Sequence, residues 1–190
     1  MKIGVIGIGS IGGLIAGSIA NNEEHQLILF TNSEIQKFEL VTNGLTLNIL
    51  EKNQKINIDP EQFRIYSKNE KIDSEWENSC DLILICTKSF STLEAANISK
   101  KLISNNGFCI SIQNGIGNEN IISSVLGFES VLGGIITHGA NKENSTTINW
   151  AGQGEIIIGK MPLTKINNKT LDEFTKLLDD AGLNASNVQD

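Results

Sequence analysis

A glycine-rich turn at the start of the chain most constrains what this sequence can fold into. The segment Gly7-Ile8-Gly9-Ser10-Ile11-Gly12 has the spacing G-x-G-x-x-G and ends an apolar stretch that predicts a strand over Lys2–Gly7. Apolar residues at helical spacing then predict a helix over Ser10–Asn21. A strand, a tight turn and a helix N-terminus in this order are typical of a dinucleotide pyrophosphate site, whereas the alternative is an ordinary glycine-rich turn.

Each glycine of the turn has an expected task. Gly7 permits the turn, Gly9 lets the backbone approach the phosphates, and Gly12, with Gly13 and Gly17, lets the helix pack close to the strand. The free N–H groups and the positive end of the helix dipole then face the anion.

Composition and charge exclude several classes of protein. The chain has 190 residues, which suits one domain, and its net charge of −7 argues against nucleic-acid binding. The cysteines Cys80, Cys86 and Cys109 lack metal-ligand spacing and are expected to be buried reduced thiols. No signal peptide precedes Lys2, and no apolar run reaches the roughly 18 residues of a membrane span, so a cytoplasmic protein is expected.

The remaining pattern alternates strands and helices as far as Gly127 and then changes to strands without helices between them. It predicts an α/β fold of the Rossmann type, a doubly wound, mostly parallel sheet with a C-terminal mixed or antiparallel extension. The later predicted strands of the parallel part are Gln26–Phe30, Asp81–Cys86 and Phe108–Ile112, and Phe63–Tyr66 is predicted to be another short strand. The extension comprises Val131–Thr137, Thr146–Trp150 and Glu155–Ile158, and a hairpin is predicted over Gly44–Leu50 and Lys55–Ile58.

Helix boundaries are predicted from capping patterns. Ser91-Thr92-Leu93-Glu94 is predicted to be a capping box that opens a helix to about Ser104, and Thr170-Leu171-Asp172-Glu173 is predicted to be a second one. Further helices are expected over Glu34–Val41 and Asn118–Leu126, with Gly127 as the C-terminal stop of the latter.

Polar residues follow four of the predicted parallel strands, and we expect them to converge at one edge of the sheet. Lys88, after a buried strand, could pair with a phosphate or a substrate carboxylate, the alternative being a solvated lysine. Asn114 could orient a ribose or a substrate hydroxyl, or could be a turn residue. His138 is a conceivable general acid, although a structural, hydrogen-bonded histidine is favoured.

The second strand ends in Thr31-Asn32-Ser33, where an NAD site usually places an acid about twenty residues after the glycine turn. A carboxylate would repel a 2′-phosphate, whereas hydroxyl and amide groups can donate hydrogen bonds to it. NADP(H) is therefore favoured, with NAD(H) left open because no arginine is present; Lys37 is the nearest cation, and the alternative is a plain polar loop.

These residues also carry a family resemblance that extends along essentially the whole chain. The sequence resembles ketopantoate reductase (2-dehydropantoate 2-reductase) in four patches. They are Gly7–Gly12, Thr87-Lys88-Ser89-Phe90, Gln113–Asn118, and Thr137-His138-Gly139-Ala140 followed by Gly152-Gln153-Gly154 and Ile158-Gly159.

The resemblance implies NADPH-dependent reduction of the small molecule 2-dehydropantoate to pantoate, in pantothenate and coenzyme A biosynthesis. By it, Gly7, Ile8, Gly9, Ser10, Ile11 and Gly12 hold the pyrophosphate, Lys88 and Asn114 contact cofactor and substrate, and Ala140 lines the cofactor cleft. The family often has arginine at the position of Asn32, so this departure weakens the choice of NADP.

Family members continue into an all-helical domain that supplies the catalytic lysine. The resemblance therefore implies that residues 1–190 are the dinucleotide-binding domain, with no catalytic residue of their own and the helical domain absent beyond Asp190. A homodimer is left open, as are a non-catalytic dinucleotide-binding module and a related dehydrogenase of another small hydroxy acid.

Overall fold

Strands and α-helices alternate over residues 2–43 and again over residues 80–136, and three further strands lie between these two parts. The computed structural model describes residues 1–22, 24–68 and 70–188, so the expected domain boundary at Asp190 lies outside the described residues. The helices are α1 (Ser10–Ala20), α2 (Glu34–Asn43), α3 (Thr92–Leu102), α4 (Asn118–Leu126) and α5 (Asn168–Leu178). The strands are β1 (Lys2–Ile6), β2 (Gln26–Thr31), β3 (Leu45–Ile49), β4 (Gln54–Ile58), β5 (Arg64–Ser67), β6 (Cys80–Ile85), β7 (Ile103–Ser111), β8 (Val131–Ile136), β9 (Gly139–Lys142), β10 (Thr147–Gly152), β11 (Ile156–Lys160) and β12 (Ala185–Val188).

The larger sheet confirms the predicted doubly wound architecture. Within the described residues its strand order is β12-β11-β8-β7-β6-β1-β2-β5. All neighbours from β5 to β8 are parallel, whereas β11 runs antiparallel to β8 and parallel to β12. The C-terminal extension is therefore mixed, and β12 is a strand that the sequence pattern did not reveal.

Successive residues of the central strands supply the cores on the two faces of this sheet. Val5 belongs to the larger core cluster, which includes residues of α1 and α5, and Ile6 belongs to the cluster that includes residues of α3 and α4. Strand side chains alternate between faces, so a strand covered on both sides is apolar throughout, as the run over β6 predicts.

A second sheet, with strand order β4-β3-β10-β9, covers α1 on the side away from the first sheet. The β3–β4 hairpin confirms the prediction, but the assignment of Thr146–Trp150 to the extension is wrong, because β10 pairs with β3. Pairing between Thr147 and Thr46 brings together segments that are far apart in sequence, and no local pattern reports such a contact.

The second sheet also changes the interpretation of α1. The predicted amphipathic helix is buried at every position from Gly12 to Ala20, because a sheet lies on each side of it. A Cβ atom on Gly13 would lie 2.7 Å from Ile148, and one on Gly17 would lie 2.8 Å from Leu47. These two glycines therefore admit the second sheet rather than the strand that precedes α1, which corrects the expectation for both.

Both predicted capping boxes are wrong. A 3-10 turn over Ser89–Ser91 leads into α3, so Ser91 is not extended and its side chain makes no capping hydrogen bond. In α5 the cap is Asn167, whose side-chain oxygen accepts a hydrogen bond from the Thr170 N–H at 2.9 Å. Also, α3 ends before Ser104, because the chain enters β7 at Ile103 to pair with β6.

Candidate functional site

The four predicted strand ends meet at one crevice, as expected. The crevice has a volume of about 520 Å³ and lies at the carboxyl edge of the parallel strands. Residues that follow β1, β2, β6 and β7 line it, joined by a single residue of the second sheet. The lining residues are Gly7, Ile8, Gly9, Ser10, Ile11, Thr31, Asn32, Ser33, Gln36, Cys86, Thr87, Lys88, Ser89, Phe90, Ser91, Ile112, Gln113, Asn114 and Lys142.

The glycine turn has the geometry of an anion site. Gly7 has a φ of +98°, and its N–H donates to the Phe30 carbonyl at 2.9 Å. Gly9 is the N-cap of α1, and a Cβ there would meet no atom within 4 Å. The N–H groups of the first helical turn have no acceptor within the helix, so they are available to an anion above Gly9.

Gly12 does not line the crevice, and its place is under the turn. A Cβ at Gly12 would lie 1.9 Å from the Gly7 carbonyl oxygen, a backbone atom that cannot move aside without deforming the turn. The role expected for Gly12, close packing of helix on strand, is therefore confirmed.

Replacing Gly12 by alanine is expected to destabilise the fold, although helix propensity alone would favour alanine by up to about 1 kcal/mol. Overpacking against backbone costs on the order of 1–3 kcal/mol, so the free energy of unfolding in urea should fall. The matched control is Gly9→Ala, whose side chain meets open space. A Gly12→Ala variant as stable as the control would contradict this account of the turn.

Gln36 joins three parts of the site, and no sequence pattern assigned it a role there. Its Nε2 donates to the Ile8 carbonyl at 2.8 Å and to the Ser145 carbonyl at 3.1 Å, and its Oε1 accepts from the Thr31 hydroxyl at 2.6 Å. Ser33 caps α2 by accepting from the Gln36 N–H at 3.1 Å. The S-x-x-Q spacing of Ser33 and Gln36 is typical of a capping box and could have drawn attention to Gln36. Its side chain, however, binds the glycine turn at Ile8 and does not bond back to the Ser33 N–H.

These bonds change what the end of β2 can offer a ligand. The Thr31 hydroxyl is buried and donates to Gln36, so it is not available to a 2′-phosphate. Asn32 is exposed at the crevice, and its side chain has no hydrogen-bond partner among the described residues. Ser33 is also exposed, and its hydroxyl hydrogen is free to donate while its oxygen caps α2.

Lys37, the cation expected nearest to this end, is paired elsewhere. It forms a hydrogen-bonded ion pair with Glu70, which also accepts from the Ser67 N–H at 2.7 Å. Burial raises the pKa of Glu70, but the bonds from Lys37 and Ser67 outweigh it and leave that pKa below its ordinary value. Lys37 therefore neutralises the Glu70 carboxylate and does not line the crevice.

On the other side of the glycine turn, Lys88 and Asn114 stand on two loops that are bonded together. The Ser89 hydroxyl donates to the Asn114 carbonyl at 2.8 Å, and Asn118 Nδ2 donates to the same oxygen at 3.1 Å. The side chains of Lys88 and Asn114 are exposed and have no partner within the described ranges. Both are free to contact a ligand.

A buried amide supports these loops. Gln113 Nε2 lies 3.1 Å from the Thr87 carbonyl, 3.0 Å from the Thr87 hydroxyl and 2.9 Å from the Thr92 hydroxyl. It therefore ties the end of β7 to the end of β6. Its position directly after a buried strand was visible in the sequence, but its partners were not.

His138 and Ala140 lie outside the crevice lining. The Gly154 N–H donates to His138 Nδ1 at 2.9 Å, so Nε2 carries the proton that is donated to the Leu183 carbonyl at 2.8 Å. Both ring nitrogens are thus used, which supports the structural role. Ala140 lies on β9 opposite Trp150, half-buried against the larger core, and its expected contact with the cofactor stays a prediction.

The cysteines are poor nucleophiles and poor acids. Burial raises the pKa of the Cys80, Cys86 and Cys109 thiols to about 12 in each case. None of them forms a disulfide. Among the described residues no group of three or more His, Cys, Asp or Glu side chains is placed to hold a metal ion.

Comparison with known proteins decides the family. The sequence matches the family model described as "Ketopantoate reductase PanE/ApbA" over residues 3–162. The chain belongs to the ketopantoate reductase family. The similar relatives include the 2-dehydropantoate 2-reductase of Pyrococcus abyssi, 35% identical over 168 residues, which covers 87% of this chain and 49% of the relative. The Pyrococcus horikoshii protein of the same name is 33% identical, and the match covers 96% of this chain and 54% of that protein.

Several solved structures share the fold of this chain. A putative 2-dehydropantoate 2-reductase from Enterococcus faecalis superposes with a TM-score of 0.84 at 24% identity, covering 100% of this chain and 57% of that one. A ternary D-mandelate dehydrogenase structure with NADH and anilino(oxo)acetate superposes with a TM-score of 0.85 at 21% identity. This match covers 100% of this chain and 57% of that one. The chain thus spans about half the length of the family members it matches.

Within the described ranges, no helix is long and apolar enough to cross a membrane.

Proposed function

We propose that residues 1–190 form the NADP(H)-binding domain of a reductase that converts 2-dehydropantoate to pantoate. The observation that carries the proposal is the crevice itself, where an open glycine turn faces two unpartnered side chains, Lys88 and Asn114. The relatives named 2-dehydropantoate 2-reductase support the choice of reaction.

The residues present fit a dinucleotide. The space above Gly9 is open, and the first amides of α1 point toward it without helical acceptors. The Ser10 and Ile11 N–H groups would hold the pyrophosphate, and the positive end of the α1 dipole would favour its charge. Asn32 would contact the adenosine ribose, because it follows β2 at the place where ribose contacts occur in this type of fold.

The residues after β6 and β7 have the chemistry to hold the reacting end. When bound, the reduced nicotinamide supplies a hydride to C2 of the 2-keto acid. Lys88 provides a positive charge for the substrate carboxylate or a phosphate, and Asn114 can both donate to and accept from ribose and substrate oxygens. Positioning of this kind lowers the barrier because the reacting atoms need not find each other in solution.

The proton for the developing alkoxide is the part that this domain does not provide. His138 uses both ring nitrogens, and the Cys86 thiol, with a pKa raised to about 12, is a weak acid. We place the general acid in the part of the relatives' length that this chain does not match, as the family resemblance implies. A cytoplasmic location belongs to the same proposal and is supported by the unpaired thiols.

Calorimetric titration with NADPH and with NADH tests the cofactor assignment. Residues 1–190 are expected to bind NADPH, more tightly than NADH. A clear preference for NADH would overturn the choice of NADP alone. The absence of heat with either cofactor at millimolar concentration would overturn the dinucleotide site.

A further inference from the structure

Lys142 is the single residue of the second sheet that lines the crevice. It ends β9, an edge strand of that sheet in the described part of the chain, and its register partner on β10 is Ile148. A Cβ on Gly13 of α1 would lie 2.7 Å from the same Ile148, so Lys142 stands next to the first turns of the phosphate-binding helix.

Hydrogen bonds fix the side of the crevice on which Lys142 lies. The turn after β9 is tied to α2, because Gln36 donates to the Ser145 carbonyl at 3.1 Å. The same Gln36 amide donates to Ile8 at 2.8 Å, and Gln36 also accepts from Thr31 at the end of β2. The turn that follows Lys142 is therefore joined to the residues that precede Asn32 and Ser33.

Lys88 lies on the opposite side. In the larger sheet β1 stands between β2 and β6, so the ends of β2 and β6 flank the glycine turn. Lys88 follows β6, whereas the Lys142 loop is bonded to the end of β2. The two lysines that line the crevice are therefore suited to different parts of one extended anionic ligand.

We propose that Lys142 binds the 2′-phosphate of NADPH and so determines the preference for NADPH over NADH. This inference rests on the proposed function, because it assigns one contact within the same dinucleotide site. Lys142 supplies from the second sheet the positive charge that the end of β2 lacks, while the Asn32 amide and the Ser33 hydroxyl add hydrogen bonds to the same phosphate.

The charges around Lys142 suit a phosphate. Within the described ranges its ammonium forms no ion pair. Partial burial lowers the pKa of Lys142, and Glu39 on α2 offsets this only in part. Lys37, the cation expected nearest to the end of β2, is already paired with Glu70. A phosphate carrying close to two negative charges would give Lys142 a direct, hydrogen-bonded counter-charge, which Glu39 does not provide.

The test compares ligands that differ in the 2′-phosphate alone. Dissociation constants for NADPH, NADH, AMP and adenosine 2′,5′-bisphosphate are measured by calorimetry on the wild-type chain and on Lys142→Met. Loss of one charge-assisted contact is expected to weaken the binding of NADPH and of the bisphosphate by about 10- to 100-fold. NADH and AMP should bind as before, and Lys142→Arg should retain the preference, because arginine also binds phosphate.

Two matched variants control for charge and position. Lys55→Met removes an exposed lysine of β4, at the far edge of the same sheet, and should change neither affinity. Lys88→Met removes the other crevice lysine and should weaken the binding of NADPH and of NADH equally.

The outcomes separate this inference from the proposed function. Equal weakening of NADPH and NADH by Lys142→Met, or no effect on either, would overturn the role of Lys142 and leave the dinucleotide site standing. Wild-type protein that prefers NADH would also overturn it. Wild-type protein that binds none of the four ligands would overturn the dinucleotide site itself, and the Lys142 contact with it.

Discussion

Replacing Gly9 by valine is expected to reduce NADPH binding below detection while the protein stays folded. A Cβ at Gly9 meets no protein atom within 4 Å, so the branched side chain would occupy the open space of the crevice above the turn. That is the space in which we place the pyrophosphate. The backbone at Gly9, with φ −90° and ψ −156°, is extended and has no positive φ that would require glycine.

Gly152→Val is the matched control, because a Cβ at Gly152 also meets no atom within 4 Å and Gly152 does not line the crevice. Circular dichroism and urea unfolding of both variants would establish that they fold. Gly9→Val is expected to lose no more than about 1 kcal/mol, since valine is a weaker N-cap than glycine. If folded Gly9→Val protein bound NADPH like the control, the glycine turn would not be the phosphate site.

A polypeptide limited to residues 1–190 is expected to bind NADPH yet to reduce 2-dehydropantoate very slowly. Besides Lys88 and Lys142, Cys86 is the titratable group among the described crevice residues, and burial raises the pKa of its thiol to about 12. Efficient proton donation needs an acid whose pKa lies nearer the working pH, and losing it costs roughly 10²- to 10⁴-fold in rate.

Oxidation of NADPH, followed by absorbance, measures this rate against the full-length Pyrococcus abyssi relative at one temperature. Equal rates would refute our placement of the acid, and Lys88→Met would then show whether Lys88 donates the proton. A slow wild-type rate with intact NADPH binding would support the division of labour between this domain and the rest of the relatives' length.

The local parts of the fold were predictable because backbone geometry demanded particular residues. Gly7 and Gly12 are required by a positive φ and by a 1.9 Å approach to a carbonyl oxygen, so their spacing between a strand and a helix predicts the turn. The convergence of strand ends followed from parallel pairing, which places Asn32, Lys88 and Asn114 at one edge without any knowledge of their contacts.

The second sheet was not predictable, and the errors about the site follow from it. The pairing of β10 with β3 depends on contacts between residues about a hundred positions apart in the chain, which no periodic pattern encodes. Without that sheet, α1 is interpreted as amphipathic, and no sequence pattern points to Lys142. The capping predictions failed locally, because a 3-10 turn precedes α3 and because Asn167 rather than Thr170 caps α5.

The enclosure of α1 between two sheets has a consequence for anyone who wishes to redesign the choice of coenzyme. From Gly12 to Ala20 the helix has no solvent face. Nearly every substitution there therefore disturbs core packing and stability before it can affect ligand binding. Sequence libraries are best confined to the rim, where Asn32, Ser33 and Lys142 are exposed and tolerant of change. In this domain the helix that supports the glycine turn from below and the positions open to diversification are separate sets of residues.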